Sequence, residues 1–279
     1  PLGRLYVVAT PIGNLEDLSR RAERVLGEVS LVAAEDTRRT GLLLRHLGHR
    51  TPMISLHAHN EARRVATVLE SLERGEDIAL VSDAGTPLVS DPGARLVEAV
   101  LEEGHTVVPV PGPSAVLTSL VGSGIPCDCF TFLGFVPRKG RDRDSTLERI
   151  SGSREACIVF ESPERLVPLL NDLQDRLGAG RRVSVARELT KVHEEFRRGT
   201  AADLAAYYTA HPPRGEVSLV VEGGSQDESV DPEVVRARVR ALLDEGLAAS
   251  QVAKEVARSL GVPRNRAYDV VQELKGGGE

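Results

Sequence analysis

The sequence is poor in several residue types that often mark a protein class. It has no tryptophan, one methionine, three cysteines, four tyrosines and five phenylalanines among 279 residues. With so few aromatic rings, the hydrophobic core must consist mainly of aliphatic side chains. No apolar run reaches the roughly 18 residues of a membrane-spanning helix, so we expect no membrane association.

The cysteines and the first residues bear on localisation. Cys127, Cys129 and Cys157 are odd in number and lack the paired spacing of a zinc site. Such a sparse set is typical of reduced thiols. The first apolar run is too short and too early for a secretory signal. We therefore expect a cytoplasmic protein.

Acidic residues outnumber basic residues in this sequence. The chain has 35 basic and 41 acidic residues, a formal net charge of −6, and only four of the basic residues are lysines. This balance argues against a surface that is positive throughout, but it is compatible with a local basic patch. Arginine, the dominant basic residue, binds phosphate in a bidentate fork. The densest basic segment is RKGRDR at 138–143, and we expect residues 137–144 to form a loop.

Several common active-site motifs are absent. The chain has no G-x-G-x-x-G, no G-x-x-x-x-G-K-[ST] and no G-x-S-x-G, which argues against the usual nicotinamide, nucleoside-triphosphate and serine-hydrolase sites. His57 and His59 flank Ala58, but no third and fourth ligand accompanies them. We therefore predict no metal site.

Short apolar runs alternate with amphipathic stretches along most of the chain. The predicted strands are Leu5–Ala9, Leu31–Ala34, Ile78–Val81, Val107–Val110, Phe130–Leu133, Cys157–Phe160, Val183–Ala186 and Val217–Val221. The predicted helices lie near 18–26, 60–74, 92–103, 114–122, 163–176 and 200–210. Repeated strand–helix–strand order predicts an α/β fold with largely parallel pairing.

Changes in composition suggest the domain organisation. A Pro- and Gly-rich segment, PVPGPSA, separates an α/β domain at 1–112 from a second one at 113–223. A polar linker at 224–232 follows. The remaining residues, 233–279, have the pattern of a small helical domain.

Polar loops follow the predicted strands of the first half. The first is TPIGNLED at 10–17, the second runs through SDAGTP at 82–87, and the third is PGPSA at 111–115. Ligands of open α/β sheets bind beyond the carboxyl ends of the strands, so these loops are candidates for a binding site. The alternatives are a tight turn for the first loop, and helix capping by Asp91 and by Ser114.

Charged residues lie at or after the ends of several other predicted strands. Glu161 ends one predicted strand, and Arg187, Glu188 and Lys191 follow another. Charges at strand ends are costly unless they pair or bind a ligand. The alternatives are an Arg187–Glu188 surface pair and a helix start at Ser162–Pro163. Asp36 either acts as an acid–base group or caps a helix.

These loops, in this order, resemble the tetrapyrrole methylase superfamily of S-adenosylmethionine-dependent methyltransferases. The closer match is the ribosomal RNA small subunit methyltransferase I family, which methylates a cytidine 2′-O of 16S rRNA. The segments that carry the resemblance extend to residue 223 and are VVATPIGNLEDLSRRA (7–22), AAEDTRRTGLLL (33–44), HAHNEARR (57–64), LVSDAGTPLVSDPG (80–93), PVPGPSA (109–115), FLGFVPRKGR (132–141), VFESPERL (159–166), ARELTKVHEE (186–195) and RGEVSLVVEG (214–223).

The resemblance implies two α/β domains with S-adenosylmethionine in the cleft between them, a homodimer, and a substrate in the 30S subunit. The helices at 233–279 resemble a small domain appended to many members. The residues expected to contact the cofactor are Pro11, Asp83, Ala84, Gly85, Thr86, Ser114, Ala115, Phe160, Ala186 and Leu189.

A ribose hydroxyl is a poor nucleophile and benefits from a base. The candidates are Asp36, Glu161 and Glu188, with Lys191 as an electrostatic helper, although orientation alone is an alternative. The residues expected to bind RNA phosphates are Arg38, Arg138, Lys139, Arg141 and Arg143.

Two other functions are compatible with parts of the pattern. One is methylation of a tetrapyrrole, either uroporphyrinogen or a corrin precursor. The first loop argues against it, because that group usually has a Gly-rich G-x-G-P-G-D-type loop where this chain has TPIGNLED. The other is non-catalytic nucleic-acid binding by the C-terminal helices, which leaves the SDAGTP and PGPSA loops unexplained.

Overall fold

The fold is given by a computed structural model of the chain. It describes residues 2–177, 180–224, 230–260, 262 and 264–276. The centre of the expected linker, 225–229, lies outside the described residues. No helix in the described part of the chain is long and apolar enough to cross a membrane.

The first sheet has five strands, all parallel. Their order across the sheet is β3-β2-β4-β1-β5. The strands are β1 (Arg4–Val8), β2 (Leu31–Ala34), β3 (Met53–Ser55), β4 (Ile78–Val81) and β5 (Thr106–Val110). The expectation of parallel pairing is confirmed for this half. The sequence pattern did not predict β3, which is only three residues long.

Five helices follow these strands: α1 (Arg20–Glu28), α2 (Thr37–His46), α3 (Glu61–Glu73), α4 (Ala94–Glu102) and α5 (Ala115–Ser123). Two aliphatic clusters hold the first four to the sheet. One contains Leu26, Val32 and Leu44, and the other contains Leu72 and Leu96. The core is aliphatic, as the composition predicts. The apolar pattern does not mark α2, but the alternative of a helix cap at Asp36 requires a helix at this place.

The second sheet is mixed. Its strands are β6 (Phe130–Phe135), β7 (Ala156–Glu161), β8 (Val183–Arg187), β9 (Glu195–Gly199) and β10 (Val217–Val221), in the order β6-β7-β10-β8-β9. Only β6 and β7 are parallel, so the expectation of largely parallel pairing is wrong for this half. Because β10 runs antiparallel to β7 and β8, its amino end lies beside their carboxyl ends.

The helices α6 (Arg141–Gly152), α7 (Leu166–Leu177) and α8 (Ala201–Ala210) pack on this sheet, and α5 also packs on it through Val116. The expectation of a loop over 137–144 is wrong from Arg141 onward, because α6 begins there. Its first turn is polar, which hides it in the sequence, but Asp142 and Asp144 suit the positive end of a helix dipole. Leu147 and Ile150 then anchor the helix in the core.

The C-terminal part of the chain is helical, as predicted. Its helices are α9 (Pro232–Asp244), α10 (Ala249–Leu260) and α11 (Arg264–Gly276). They pack on one another around Val235, Val239, Val252, Val256 and Val271. The α/β architecture with appended helices is thereby confirmed.

Candidate functional site

A cavity of about 480 Å³ lies between the two sheets, and we call it the cleft cavity. Its walls come from the segments after β1, β2, β4 and β5 and from the ends of β6, β7, β8 and β10 that face them. The volume is in the range of small-molecule sites. Both sheets therefore contribute the edge at which α/β proteins bind ligands.

Hydrogen bonds join the loops of the first wall to one another. Thr10 and Gly85 exchange two backbone hydrogen bonds of 2.9 and 3.0 Å, and the Thr86 hydroxyl donates to the Pro113 carbonyl at 3.2 Å. Gly85 has a φ of +79°, and a Cβ there would lie 3.3 Å from Ile12 Cγ2. A glycine is needed because the chain turns in the left-handed region beside this contact.

The carboxylates at this edge hold the loops after β2 and β4 together. Asp83 Oδ1 accepts the Asp36 N–H at 2.9 Å, and Glu35 Oε2 accepts the Asp83 N–H at 3.2 Å. Arg39 approaches Asp83 at 3.7 Å, and both line the cleft cavity. Asp83 is thus a wall residue with a fixed orientation.

Asp91 is a second wall residue, and the prediction that it caps a helix is wrong. The helix α4 begins later, at Ala94, after Gly93 with a φ of +120°. Burial raises the pKa of Asp91 to about 6, with added repulsion from Glu35 and Asp83. Its charge is therefore costly above that pH.

We expect Asp91→Asn to stabilise the protein at pH 7.5 and not at pH 4. The folded-state pKa lies above the unfolded one, so the native state binds its proton more tightly, and stability falls as pH rises from about 4 to 6. The amide removes this penalty, which we put at about 1 kcal/mol after solvent screening. Thermal unfolding at both pH values measures it, with the exposed Glu98→Gln as control. An equal gain at both pH values would contradict the charge argument.

The second wall contains aromatic and small residues. Phe160 lines the cavity on β7, and Ser218 lies opposite it in register on β10. Leu189 also lines the cavity, whereas Ala186 is buried behind the wall, packed with Ile12 and Leu189. Ala186 therefore supports the wall without contributing to its surface.

Glu161 is a buried acidic residue of this wall. It is 2% exposed and lies on the last residue of β7. Its Oε1 accepts the Ser162 N–H at 2.7 Å and contacts the Arg165 guanidinium, while its Oε2 has no hydrogen-bond partner among the described residues. Burial raises the pKa of Glu161, although Ser162 and Arg165 oppose that rise. A buried oxygen without a partner on a cavity wall is suited to accept a proton from a ligand.

Glu188 and Lys191 do not line the cleft cavity. Glu188 Oε1 accepts Lys191 Nζ at 2.8 Å and the Glu216 N–H at 3.0 Å. The bond from Lys191 lowers the pKa of Glu188, which makes it a weaker base. Glu188 and Thr190 have φ values of +50° and +64°, so the ion pair holds a strained loop next to the cavity.

Asp36 caps α2 and lies outside the cleft cavity. Its side chain accepts the Arg38 N–H at 2.8 Å and pairs with the Arg38 guanidinium, which lowers the pKa of Asp36 to about 2. Of the two roles considered for Asp36, acid–base group and helix cap, the structure shows the helix cap. The Arg38 side chain is 89% exposed.

Pro11 lines a separate pocket of about 220 Å³ beside the cleft cavity. Asp83 and Arg39 line both, so they separate the two spaces. Apart from Ala186, which is buried behind the wall, the other predicted cofactor residues line the cleft cavity itself, and they are Asp83, Ala84, Gly85, Thr86, Ser114, Ala115, Phe160 and Leu189. Ser114 also caps α5, so both of its predicted roles are compatible.

The basic segment divides into two groups. Arg138, Lys139 and Arg141 are exposed and make no ion pair within the described residues. Arg143 is different, because its guanidinium pairs with Asp172 at 2.6 Å and donates to the Pro137 carbonyl at 3.1 Å. With 13% of its side chain exposed, Arg143 fastens α6 to α7 and is not presented to an RNA.

Several wall residues were not singled out from the sequence. Phe135 reaches the cavity because of a local backbone irregularity, and Gly215–Ser218 reach it because β10 is antiparallel. Gly215–Ser218 could have been predicted only from the direction of β10, and the sequence pattern does not reveal that direction.

The chain is similar to known proteins over nearly its full length. The profile of the tetrapyrrole (corrin/porphyrin) methylases matches residues 4–205. A relative from Synechocystis sp. named ribosomal RNA small subunit methyltransferase I is 44% identical over 99% of this chain and 100% of the relative. A relative of the same name from Escherichia coli O157:H7 is 43% identical over 98% and 96%.

The chain belongs to the ribosomal RNA small subunit methyltransferase I family. The resemblance noted in the sequence is thereby confirmed. Members of this family share the tetrapyrrole methylase fold with proteins of other names. Cobalt precorrin-4 methyltransferase, a cobalamin biosynthetic enzyme, has a TM-score of 0.60 at 15% identity and covers 78% of this chain and 94% of its own.

A second solved structure is uroporphyrin-III C-methyltransferase from Thermus thermophilus complexed with S-adenyl homocysteine. Its TM-score is 0.56 at 20% identity, covering 79% of this chain and 97% of that one. At such identity the likeness establishes the fold alone. The small-subunit rRNA family, by contrast, is established by identity over nearly the full length.

Proposed function

We propose that this protein transfers a methyl group from S-adenosylmethionine to the 2′-oxygen of a cytidine in 16S rRNA, within the 30S subunit. The observation that carries the proposal is the cleft cavity. It combines the loops of the family resemblance with an unpartnered buried carboxylate oxygen and lies near an exposed basic segment. The names of its relatives supply the substrate class.

The residues present fit the cofactor. Two residues of the cavity wall, Glu161 and Ser218, each have a buried polar atom, Oε2 and Oγ, without a hydrogen-bond partner in the described part of the chain. Gly85 leaves space where a side chain would crowd Ile12. We assign Asp83–Thr86, Ser114 and Ala115 to one side of S-adenosylmethionine and Phe160 and Leu189 to the other.

Bound S-adenosylmethionine supplies a methyl group that is already activated on sulfur, so the protein mainly binds and orients. Glu161 is the best-placed base among the candidates. Asp36 and Glu188 lie outside the cavity wall and have lowered pKa values, whereas Glu161 lies on the wall with a raised one. Glu161 Oε2 would accept the proton of the ribose 2′-hydroxyl.

We also propose a cytoplasmic homodimer. Leu117 and Val121 are one turn apart on α5 and are 52% and 84% exposed. Such an apolar pair supports an interface with a second copy.

The test is radiolabelled methyl transfer from S-adenosylmethionine. Small ribosomal subunits, naked 16S rRNA and uroporphyrinogen are offered side by side, and the product is analysed as nucleosides. We expect label in 2′-O-methylcytidine from the subunits. Label in the tetrapyrrole would favour the other branch of the fold, and label on the base would contradict ribose methylation.

Replacing Arg138, Lys139 and Arg141 with alanine should weaken binding to the small subunit at least about tenfold. Each lost phosphate contact reduces the number of counterions released on binding. The magnitude of the slope of log affinity against log salt concentration should therefore decrease by about 2 in total. Binding of S-adenosylmethionine should not change. Filter binding at several salt concentrations measures the first effect and calorimetry the second.

A matched control replaces Arg50, Arg74 and Arg154, which are exposed and precede β3, β4 and β7 at the opposite edge of the sheets. This variant loses the same charge and should bind the subunit like the wild type. Equal losses in both variants would mean that net charge, and not the 138–141 segment, governs binding.

A further inference from the structure

Phe135 is an exposed aromatic residue at the cleft cavity. It is 59% exposed in a chain with only five phenylalanines, and it lines the cavity wall. Exposing a phenylalanine to water is unfavourable, so an exposed ring on the wall of a ligand-sized cavity points to a partner.

The backbone directs this ring toward the cavity by means of a bulge. On β6, Phe132 pairs with Ile158, but Phe135 pairs with Phe160, so three steps on β6 match two on β7. Gly134 within the bulge has a φ of +69°. Side chains three apart on a regular strand point to opposite faces, and one extra residue brings them to the same face.

Aromatic contacts agree with this reorientation. Phe132 and Phe135 both pack against Phe160, with ring centroids 4.9 and 5.5 Å away and interplanar angles of 62° and 65°. Phe160 therefore supports the Phe135 ring from within the wall, while more than half of Phe135 stays open to solvent.

The same bulge is connected to the candidate base. The Val136 N–H donates to the Phe160 carbonyl at 3.2 Å, and Arg165 Nη1 donates to the Val136 carbonyl at 3.2 Å. Arg165 also contacts Glu161. One guanidinium thus fixes the position of the Phe135 segment relative to the Glu161 carboxylate.

The exposed cations follow directly along the chain. Arg138, Lys139 and Arg141 begin three residues after Phe135 and make no ion pair within residues that the structure describes. An aromatic face beside free cations matches an unpaired nucleotide, because its base stacks and its phosphate binds the charge.

We propose that Phe135 is the stacking platform for the base of the nucleotide that is methylated. This inference rests on the proposed function. Stacking there holds the ribose of the same nucleotide near Glu161, so the ring acts as a positioning residue. Enzymes that modify a nucleotide commonly bind it unstacked in this way.

The test measures methyl transfer to small ribosomal subunits and, separately, binding of S-adenosylmethionine by calorimetry. We expect Phe135→Ala to lower kcat/KM for the subunit about 5- to 160-fold, the range of a lost base–aromatic stack, with cofactor affinity within about twofold of wild type. Phe135→Tyr should retain most activity, whereas Phe135→Leu, which is apolar but not aromatic, should not.

Phe130→Ala is the matched control. Phe130 lies at the other end of β6, is 38% exposed, and does not line the cleft cavity, so its loss should leave kcat/KM unchanged. Light scattering checks that each variant keeps the oligomeric state of the wild type.

Three results would overturn the inference alone: unchanged kcat/KM in Phe135→Ala, a loss of cofactor affinity that places the ring on S-adenosylmethionine, or a changed oligomeric state that places it in a subunit interface. A wild-type protein that binds the cofactor but methylates no RNA would overturn the proposed function and this inference with it.

Discussion

Glu161→Gln should lower kcat for RNA methylation by about 100-fold or more, which is the usual contribution of a general base. The amide has nearly the same shape as the carboxyl group and can still accept the Ser162 N–H and the Arg165 contact, so the wall should keep its structure. Affinity for S-adenosylmethionine should stay within a few-fold of wild type. Single-turnover methyl transfer and calorimetry measure the two quantities.

The pH dependence gives a second readout of the same substitution. A base must be deprotonated to act, so kcat/KM should fall as pH falls through the pKa of Glu161. Burial raises that pKa above its ordinary value of 4.5, so the acid limb should lie above pH 4.5 in the wild type and be absent in Glu161→Gln. The exposed neighbour Glu164→Gln is the control. Wild-type kcat in Glu161→Gln would mean that orientation alone activates the hydroxyl.

Gly13→Ala should weaken S-adenosylmethionine binding at least about tenfold. A Cβ at Gly13 would lie 2.4 Å from Lys191 Cγ and 2.9 Å from the Leu189 carbonyl oxygen. The lysine stem can move, but the carbonyl belongs to the strained loop that carries Leu189 into the cavity wall. The loop must shift, which alters the wall and costs roughly 1–3 kcal/mol of stability.

Calorimetry and thermal unfolding measure these effects. Gly152→Ala, at the last residue of α6, is the control, because a Cβ there would enter open space and the helical backbone accepts alanine. If Gly13→Ala kept wild-type affinity and melting temperature, the contact between the two halves at this point would be of no consequence for the cavity.

The sequence predicts the apolar strands of four or more residues and misses the polar strand β9 and the three-residue strand β3. β4 and β10, with four and five fully buried residues, have the bounds that their apolar runs predict. β9 is EFRRG at the edge of the sheet, and its Glu195 pairs with Arg197 of the same strand and with Arg187 of β8. Its charges are satisfied by tertiary partners, and no periodicity marks it as a strand.

The sequence also predicts only some of the residues of the candidate site. Asp83–Thr86 and Ser114 follow predicted strands directly, so the rule that ligands bind at carboxyl ends is enough to find them. Asp91 has the sequence context of a cap, because Asp before Pro is a usual helix start and the left-handed Gly93 that delays α4 cannot be foreseen. The choice among Asp36, Glu161 and Glu188 needs hydrogen-bond partners, which only the fold supplies.

The order of strands in the first sheet has a consequence for protein synthesis. Leu5 of β1 is in register with Ile78 of β4 and with Val107 of β5, so the first strand made lies between two that are made much later. At about 5–20 residues per second, the ribosome needs roughly 5–20 s to extend the chain from β1 to β5. Until β4 is made, the apolar segment LYVV has neither neighbour, and until β5 is made it has only one. The nascent chain, more than the finished protein, is therefore the state in which aggregation competes with folding.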